Sequence, residues 1–119
     1  MAAVVLAAGC ASSGSPQGKA NAELKAGVRA AERNYWQEAL FRFERARALV
    51  PADPEVLNDV AVAYEALGRF DEALATYKEA LKGSPRSIAL KKNYARFAEF
   101  YTSYAKGAKP KKEDADAAR

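Results

Sequence analysis

Trp36-Gln37-Glu38-Ala39-Leu40 returns 34 residues later as Phe70-Asp71-Glu72-Ala73-Leu74. The echo extends outward in the same register. Phe43 recurs as Tyr77, Ala46 as Ala80 and Pro51 as Pro85, and upstream Gly27 recurs as Ala61. Between the windows 36–53 and 70–87 five positions are identical and two more exchange one aromatic for another. A fixed period carrying small residues, aromatics and a closing proline together is the pattern of stacked helix pairs. A plain four- or five-helix bundle has no reason to keep that register. The chain therefore reads as an interaction scaffold before it reads as an enzyme.

Apolar spacing places the helices. Patterning begins near Ala20, where Leu24, Gly27, Val28 and Ala31 follow at three and four residues. Asn34 tolerates the left-handed turn that ends a helix. A second helix runs from Trp36 to about Leu49, with Ala39, Leu40, Phe43 and Ala46 inward. Asp53 caps a third, Pro54 suits its first turn, and Glu55 favours its positive end. Leu57, Val60, Ala61 and Tyr64 form its apolar face, and Gly68 closes it. Phe70 to Lys82 is the fourth helix, stopped by Gly83. Ser84-Pro85 opens a fifth by the same cap-then-proline logic, with a stripe of Leu90, Tyr94, Phe97, Tyr101 and Tyr104 to about Ala105.

At 119 residues the chain is at most one domain. Half of it is hydrophobic, but Ala supplies much of that share, so the core is built from close helix contacts. There is no His and one Cys, which excludes zinc sites, Ser-His-Asp triads and Cys-His dyads within one chain. The paired carboxylates Asp71-Glu72 point about 100° apart on a helix and favour a helix start. Glu113-Asp114 falls in the charged tail. No enzyme, metal site or cofactor is expected. Charge is uneven: from Lys82 to Lys112 there are nine Lys or Arg and one acid, Glu99, so the remainder is net acidic. This basic stretch suits phosphates, anionic headgroups or an acidic partner, or is the solvated face of a terminal helix.

The unit from Pro54 to Ser87 resembles the tetratricopeptide repeat. Leu57, Val60 and Ala61, followed by Tyr64, match the large, apolar and small positions of its first helix. Ala73, Tyr77, Ala80 and Pro85 match those in and after its second. The unit from Ala20 to Asp53 is complete in its second helix and degenerate in its first, where Glu23 and Ala26 replace large residues. From Ile88 only the opening helix of a third unit follows, with Tyr94-Ala95 in register. The resemblance implies an all-α superhelix: repeat 1 over 20–53, repeat 2 over 54–87 and a capping helix over 88–105. It also implies a concave groove lined by the first helix of each pair. Position by position these are Leu24 and Val28, then Asn58, Val62 and Glu65, then Lys92, Arg96 and Glu99. A clamp for a peptide's terminal carboxylate would need Lys and Asn where Leu24 and Val28 stand, so that mode is absent. The groove instead suits a protein or peptide segment with a hydrophobic and an acidic portion. Phe100 and Tyr104, partly exposed beside Lys92 and Arg96, form a docking patch or a self-association surface, since the array ends there without a dedicated polar cap.

Residues 1–9 are apolar and lead into Cys10. They are too few to cross a bilayer, which takes about 20, and read as the remnant of a signal peptide. Leu6-Ala7-Ala8-Gly9-Cys10 resembles the lipobox of bacterial lipoproteins, which implies cleavage before Cys10 and a diacylglyceryl group on its thiol. Ala7 stands where that family more often has Leu, and no Lys or Arg precedes Gly9, so the true start is expected upstream of Met1. Residues 10–19 then form a lipidated flexible linker, and the charged tail 106–119 has nothing to bury. Together these features describe an outer-membrane lipoprotein on the periplasmic side, acting as an adaptor in envelope assembly or secretion, with nucleic acid not expected as a partner. The alternative is a cytoplasmic adaptor without a lipid anchor.

Overall fold

The computed structural model describes residues 14–108, which form five helices joined by short turns. These are α1 (Pro16–Glu32), α2 (Trp36–Leu49), α3 (Pro54–Ala66), α4 (Phe70–Gly83) and α5 (Ile88–Ala108). Each packs chiefly on its neighbours in sequence: α1 on α2, α2 on α3, α3 on α4 and α4 on α5. No strand occurs among the described residues. The result is all-α, two helix pairs followed by a single helix.

The turns inside the two pairs are copies of one another. Asn34 has φ 62° and Gly68, 34 residues on, has φ 74°, the left-handed conformation that lets a chain leave a helix. At both sites the residue after it donates its N–H back across the last turn, Tyr35 to Ala30 O and Arg69 to Tyr64 O, each at 2.9 Å. Between the pairs, Asp53 caps α3, its Oδ1 accepting from Glu55 N at 2.9 Å with Pro54 in the first turn.

Two helix starts differ from the expectation. α1 begins at Pro16 instead of Ala20, because Ser15 Oγ accepts from Gly18 N at 3.0 Å and Pro16 needs no N–H partner there. The linker-like composition of 10–19 hides that cap. Conversely, Ser84-Pro85 does not open α5. Ser87 N donates to Ser84 O at 3.2 Å in a turn, and Ser87 Oγ accepts from Leu90 N at 3.3 Å, so Ser87 takes the capping role. α5 also continues through Gly107 to Ala108. The expected signal remnant, Cys10 and most of the tail lie outside the described residues.

The core has two clusters related by the same period. Ala39, Phe43, Ala46, Val56 and Ala63 belong to the first, and Ala73, Tyr77, Ala80, Leu90 and Phe97 stand 34 residues on in the second. α3 serves both. It offers Val56, Val60 and Ala63 to the first cluster and Leu57 and Ala61 to the second. α5 repeats only half of this duty. Leu90, Tyr94, Phe97 and Tyr101 pack on the second cluster in the register of Val56, Val60, Ala63 and Leu67. On its far side Lys91 and Ala95, in the register of Leu57 and Ala61, are exposed. On that far side α5 thus carries Lys91 where α3 carries Leu57.

Gly27 and Phe43 show how tightly the pairs close. A Cβ placed on Gly27 would meet the Phe43 ring at Cε1, at Cδ1 within 2.5 Å and at Cζ within 3.0 Å. Phe43 is itself only 3% exposed, so its ring is held among core neighbours. Gly27→Ala is thus expected to be destabilising, because overpacking at about 1–3 kcal/mol outweighs the about 1 kcal/mol by which Ala favours a helix over Gly. Gly83, with nothing within 4 Å of the same atom, should accept Ala without loss. Thermal melts of the two variants check this: a drop of several degrees for Gly27→Ala and none for Gly83→Ala.

Candidate functional site: the face of the first helices

α1, α3 and α5 occupy the same position in successive units, and their facing sides carry the expected groove positions. α3 and α5 are bridged there. Asn93 Nδ2 donates to Asn58 Oδ1 at 2.8 Å, and Arg96 Nη2 donates to Glu65 Oε2 at 3.2 Å. Glu65 also accepts from the Tyr77 hydroxyl at 2.6 Å, which ties α4 into the same junction. Burial pushes the Tyr77 hydroxyl above its usual range and the Glu65 carboxylate adds to the effect, so it remains a donor at any physiological pH. Asn58 therefore spends its side-chain carbonyl on Asn93, and Glu65 and Arg96 pair with each other. Arg96 is not a free cation for an acidic partner. Lys92 and Glu99 are exposed, and neither takes part in an ion pair among the described residues.

The junction between α1 and α3 is different in kind. Its polar link among the described residues is at one end only, from Gln17 Nε2 to Asp53 Oδ2 at 3.4 Å. Beyond it opens a cleft of about 300 Å³ lined by Val28, Ala31 and Glu32 of α1, Trp36 and Phe43 of α2, and Asp59 and Val62 of α3. Val28 is 42% exposed at its rim. Leu24 does not belong to it: at 7% exposure it packs inward with Ala20, Ala30 and Leu40, so the expected groove role is corrected to a core role. The reason is local. With Glu23 and Ala26 at the usual large positions of α1, Leu24 is the one bulky side chain available to fill the space against α2.

Asp59 was not among the residues expected to matter. It lies in the Val56-to-Val62 run, where the helix is apolar on two sides, and an acid in such a run was the available signal. Burial raises its carboxyl to about 6, Glu55 and then Asp53 reinforce the shift, and a hydrogen bond from Asn58 opposes it. No cation pairs with Asp59 or Glu32 among the described residues.

Phe100 and Tyr104, at 47% and 48% exposure, lean on Phe70, with ring centroids at 5.0 and 4.9 Å in edge-on geometry. Tyr101 on the adjacent side hydrogen-bonds Asp71 through its hydroxyl. The aromatic patch is thus half structural: it fastens the end of α5 to the start of α4. Elsewhere, Glu44 accepts from the Tyr64 hydroxyl at 2.9 Å, linking α2 to α3, and Arg69 in the α3–α4 turn lies over the Tyr64 ring at 4.7 Å.

The family model described as tetratricopeptide repeat matches residues 30–96, more than half of the chain. The chain belongs to the tetratricopeptide repeat family. The match starts at Ala30, after most of the degenerate α1, and runs into α5 as far as Arg96. Tetratricopeptide repeats are typically non-enzymatic scaffolds that bind other proteins, and membership suggests a protein-interaction role for this chain. No curated protein matches the chain.

Asp59 gives the repeat domain a measurable pH signature. Its folded pKa lies above its unfolded value of 3.8, so the native state binds the extra proton between the two. Stability from this group is fully present below the unfolded pKa and is lost as pH rises through about 6. Asp59→Asn should therefore melt higher than the parent at neutral pH, and the two curves should converge as pH falls to about 4. Parallel melting temperatures across that range would contradict a desolvated carboxylate.

Proposed function

We propose that this tetratricopeptide-repeat chain is a lipid-anchored adaptor, held through Cys10 on the periplasmic side of an outer membrane and presenting its first-helix face to a protein partner in envelope assembly or secretion. The observation that carries the adaptor reading is the contrast between the two junctions of that face. The α3–α5 junction is closed by its own hydrogen bonds, while the α1–α3 cleft keeps Val28 exposed at its rim, beside Val62 and an acid that no cation among the described residues pairs. Apolar surface kept open beside an uncompensated charge has a cost to folding that a bound segment removes.

The anchor reading is supported by the Leu6-to-Cys10 run and by the small polar residues Ala11 to Ser15 behind it. With α1 capped at Ser15, five residues separate Cys10 from the first helical residue. Fully extended they span at most about 18 Å, so an anchored domain would work close to the headgroups. Two acyl chains or more at about 0.8 kcal/mol per buried CH₂ make such attachment effectively permanent. The exposed Lys91 and Lys92 suit that neighbourhood.

Intact mass of the membrane-extracted protein tests the anchor. The expected product begins at Cys10 and carries acyl chains, and Cys10→Ser should appear uncleaved or in the soluble fraction. Unchanged mass and fractionation would leave the cytoplasmic alternative. For the adaptor role, a photo-crosslinker at Val62 should trap a partner that one at Phe41, exposed on α2, does not. Equal trapping at both positions would remove the face from consideration.

A further inference from the structure

The Asp59 carboxylate in the α1–α3 cleft, which takes a hydrogen bond from Asn58 but pairs with no cation among the described residues, bears on which segment that face accepts. The walls are apolar: Val28, Ala31, Trp36, Phe43 and Val62. The charged groups facing Asp59 are all acids. Glu32 comes from α1, Glu55 from α3 itself and Asp53 from its cap, while α2 contributes only the uncharged Trp36 and Phe43. A cleft of about 300 Å³ is at the lower end of ligand sites, which run about 300–1,000 Å³, and holds one long side chain.

Three kinds of side chain can be weighed against this setting. An acidic one adds a like charge to a site where Asp59 already resists ionising. An aliphatic one covers Val28 and Val62 but buries a carboxylate further and brings it no compensating charge. A basic one with a long apolar stem does both tasks, since its methylenes lie along the wall and its head reaches the acid. We propose that the α1–α3 cleft is a subsite for a lysine or arginine side chain of the bound partner segment, its stem over Val28, Trp36 and Val62 and its charged head on Asp59, with Glu32 at the rim. This rests on the reading that the first-helix face receives a partner, and it makes that partner basic at the amino-terminal end of the domain. The acidic portion expected from Lys92 and Arg96 loses half its basis once Arg96 is paired with Glu65. Above about 6 the Asp59 carboxylate is ionised and ready to pair, so the subsite works at neutral pH and weakens in acid.

Titration of the full ¹⁵N-labelled chain with three blocked peptides tests this: acetyl-Leu-Lys-Leu-amide and the same peptide with norleucine or glutamate in place of lysine. Amide and indole shifts of Val28, Trp36 and Val62 report occupancy of the cleft. The lysine peptide is expected to bind about tenfold more tightly than the other two, the value of one charge-assisted contact. Asp59→Asn should abolish that preference while leaving norleucine binding in place, and Glu32→Gln should reduce it less. Asp59→Asn removes a desolvated charge, so a dispersed, parent-like spectrum is expected and a binding loss cannot be put down to unfolding. Lowering the pH from about 7.5 to about 5, across the Asp59 midpoint, should erase the preference in the parent and change nothing in the variant. Equal binding of all three peptides, or a lysine preference that survives in Asp59→Asn, overturns the subsite and leaves the adaptor face standing. Failure of every peptide to shift the cleft overturns both.

Discussion

The two-sided burial of α3 is the constraint on which the rest of this molecule depends. Val56, Val60 and Ala63 close the first pair while Leu57 and Ala61 begin the second, so no side of this helix is spare except the strip carrying Asn58, Asp59, Val62 and Glu65. That strip is the only place on α3 where selection could place polar groups without opening a cluster. Both the bridge to α5 and the acid in the cleft come from it. The small residues enforce the same logic. Ala39, Ala46, Ala73 and Ala80 are at or near zero exposure and allow helix axes to approach closely, at about 8–10 Å.

Close packing also explains why the two junctions of the binding face behave differently. At the α3–α5 junction, Asn93 and Arg96 reach back to Asn58 and Glu65 and seal it. At the α1–α3 junction the corresponding length of α1 carries Ala31 and Val28, which reach nothing polar on α3 and leave space. The degenerate first helix is thus not a worn copy of the second. Its small residues make room, and its Glu23 is held instead by Arg45 at 2.8 Å and Arg42 at 3.4 Å across to α2.

Most of the architecture could be read from the chain because it is written twice. Asn34 and Gly68, Phe43 and Tyr77, and Ala46 and Ala80 each confirm the other, and a duplicated position is hard to mistake for chance. What was not legible is what occurs once. Ser15 and Ser87 cap helices through single hydrogen bonds that composition does not announce, whereas Ser84-Pro85 looks like a cap and forms a turn. Leu24 sits at a groove position by register, yet the missing bulk at Glu23 and Ala26 draws it into the core. Asp59 leaves only a faint trace in the sequence, an acid within the apolar Val56-to-Val62 run, and its setting becomes unusual once the neighbouring helices are folded against it.

The exposed Lys91 and Ala95 on the last helix have a bearing on how long such a molecule can be. The seam between α4 and α5 reproduces the seam between α2 and α3, residue for residue at Leu90 and Val56 and at Phe97 and Ala63. A further 34-residue unit spliced ahead of α5 would meet a complementary surface on both flanks, whereas one appended after α5 would meet lysine. The repeat seam is therefore extensible from within, so the binding face could lengthen by internal duplication ahead of α5.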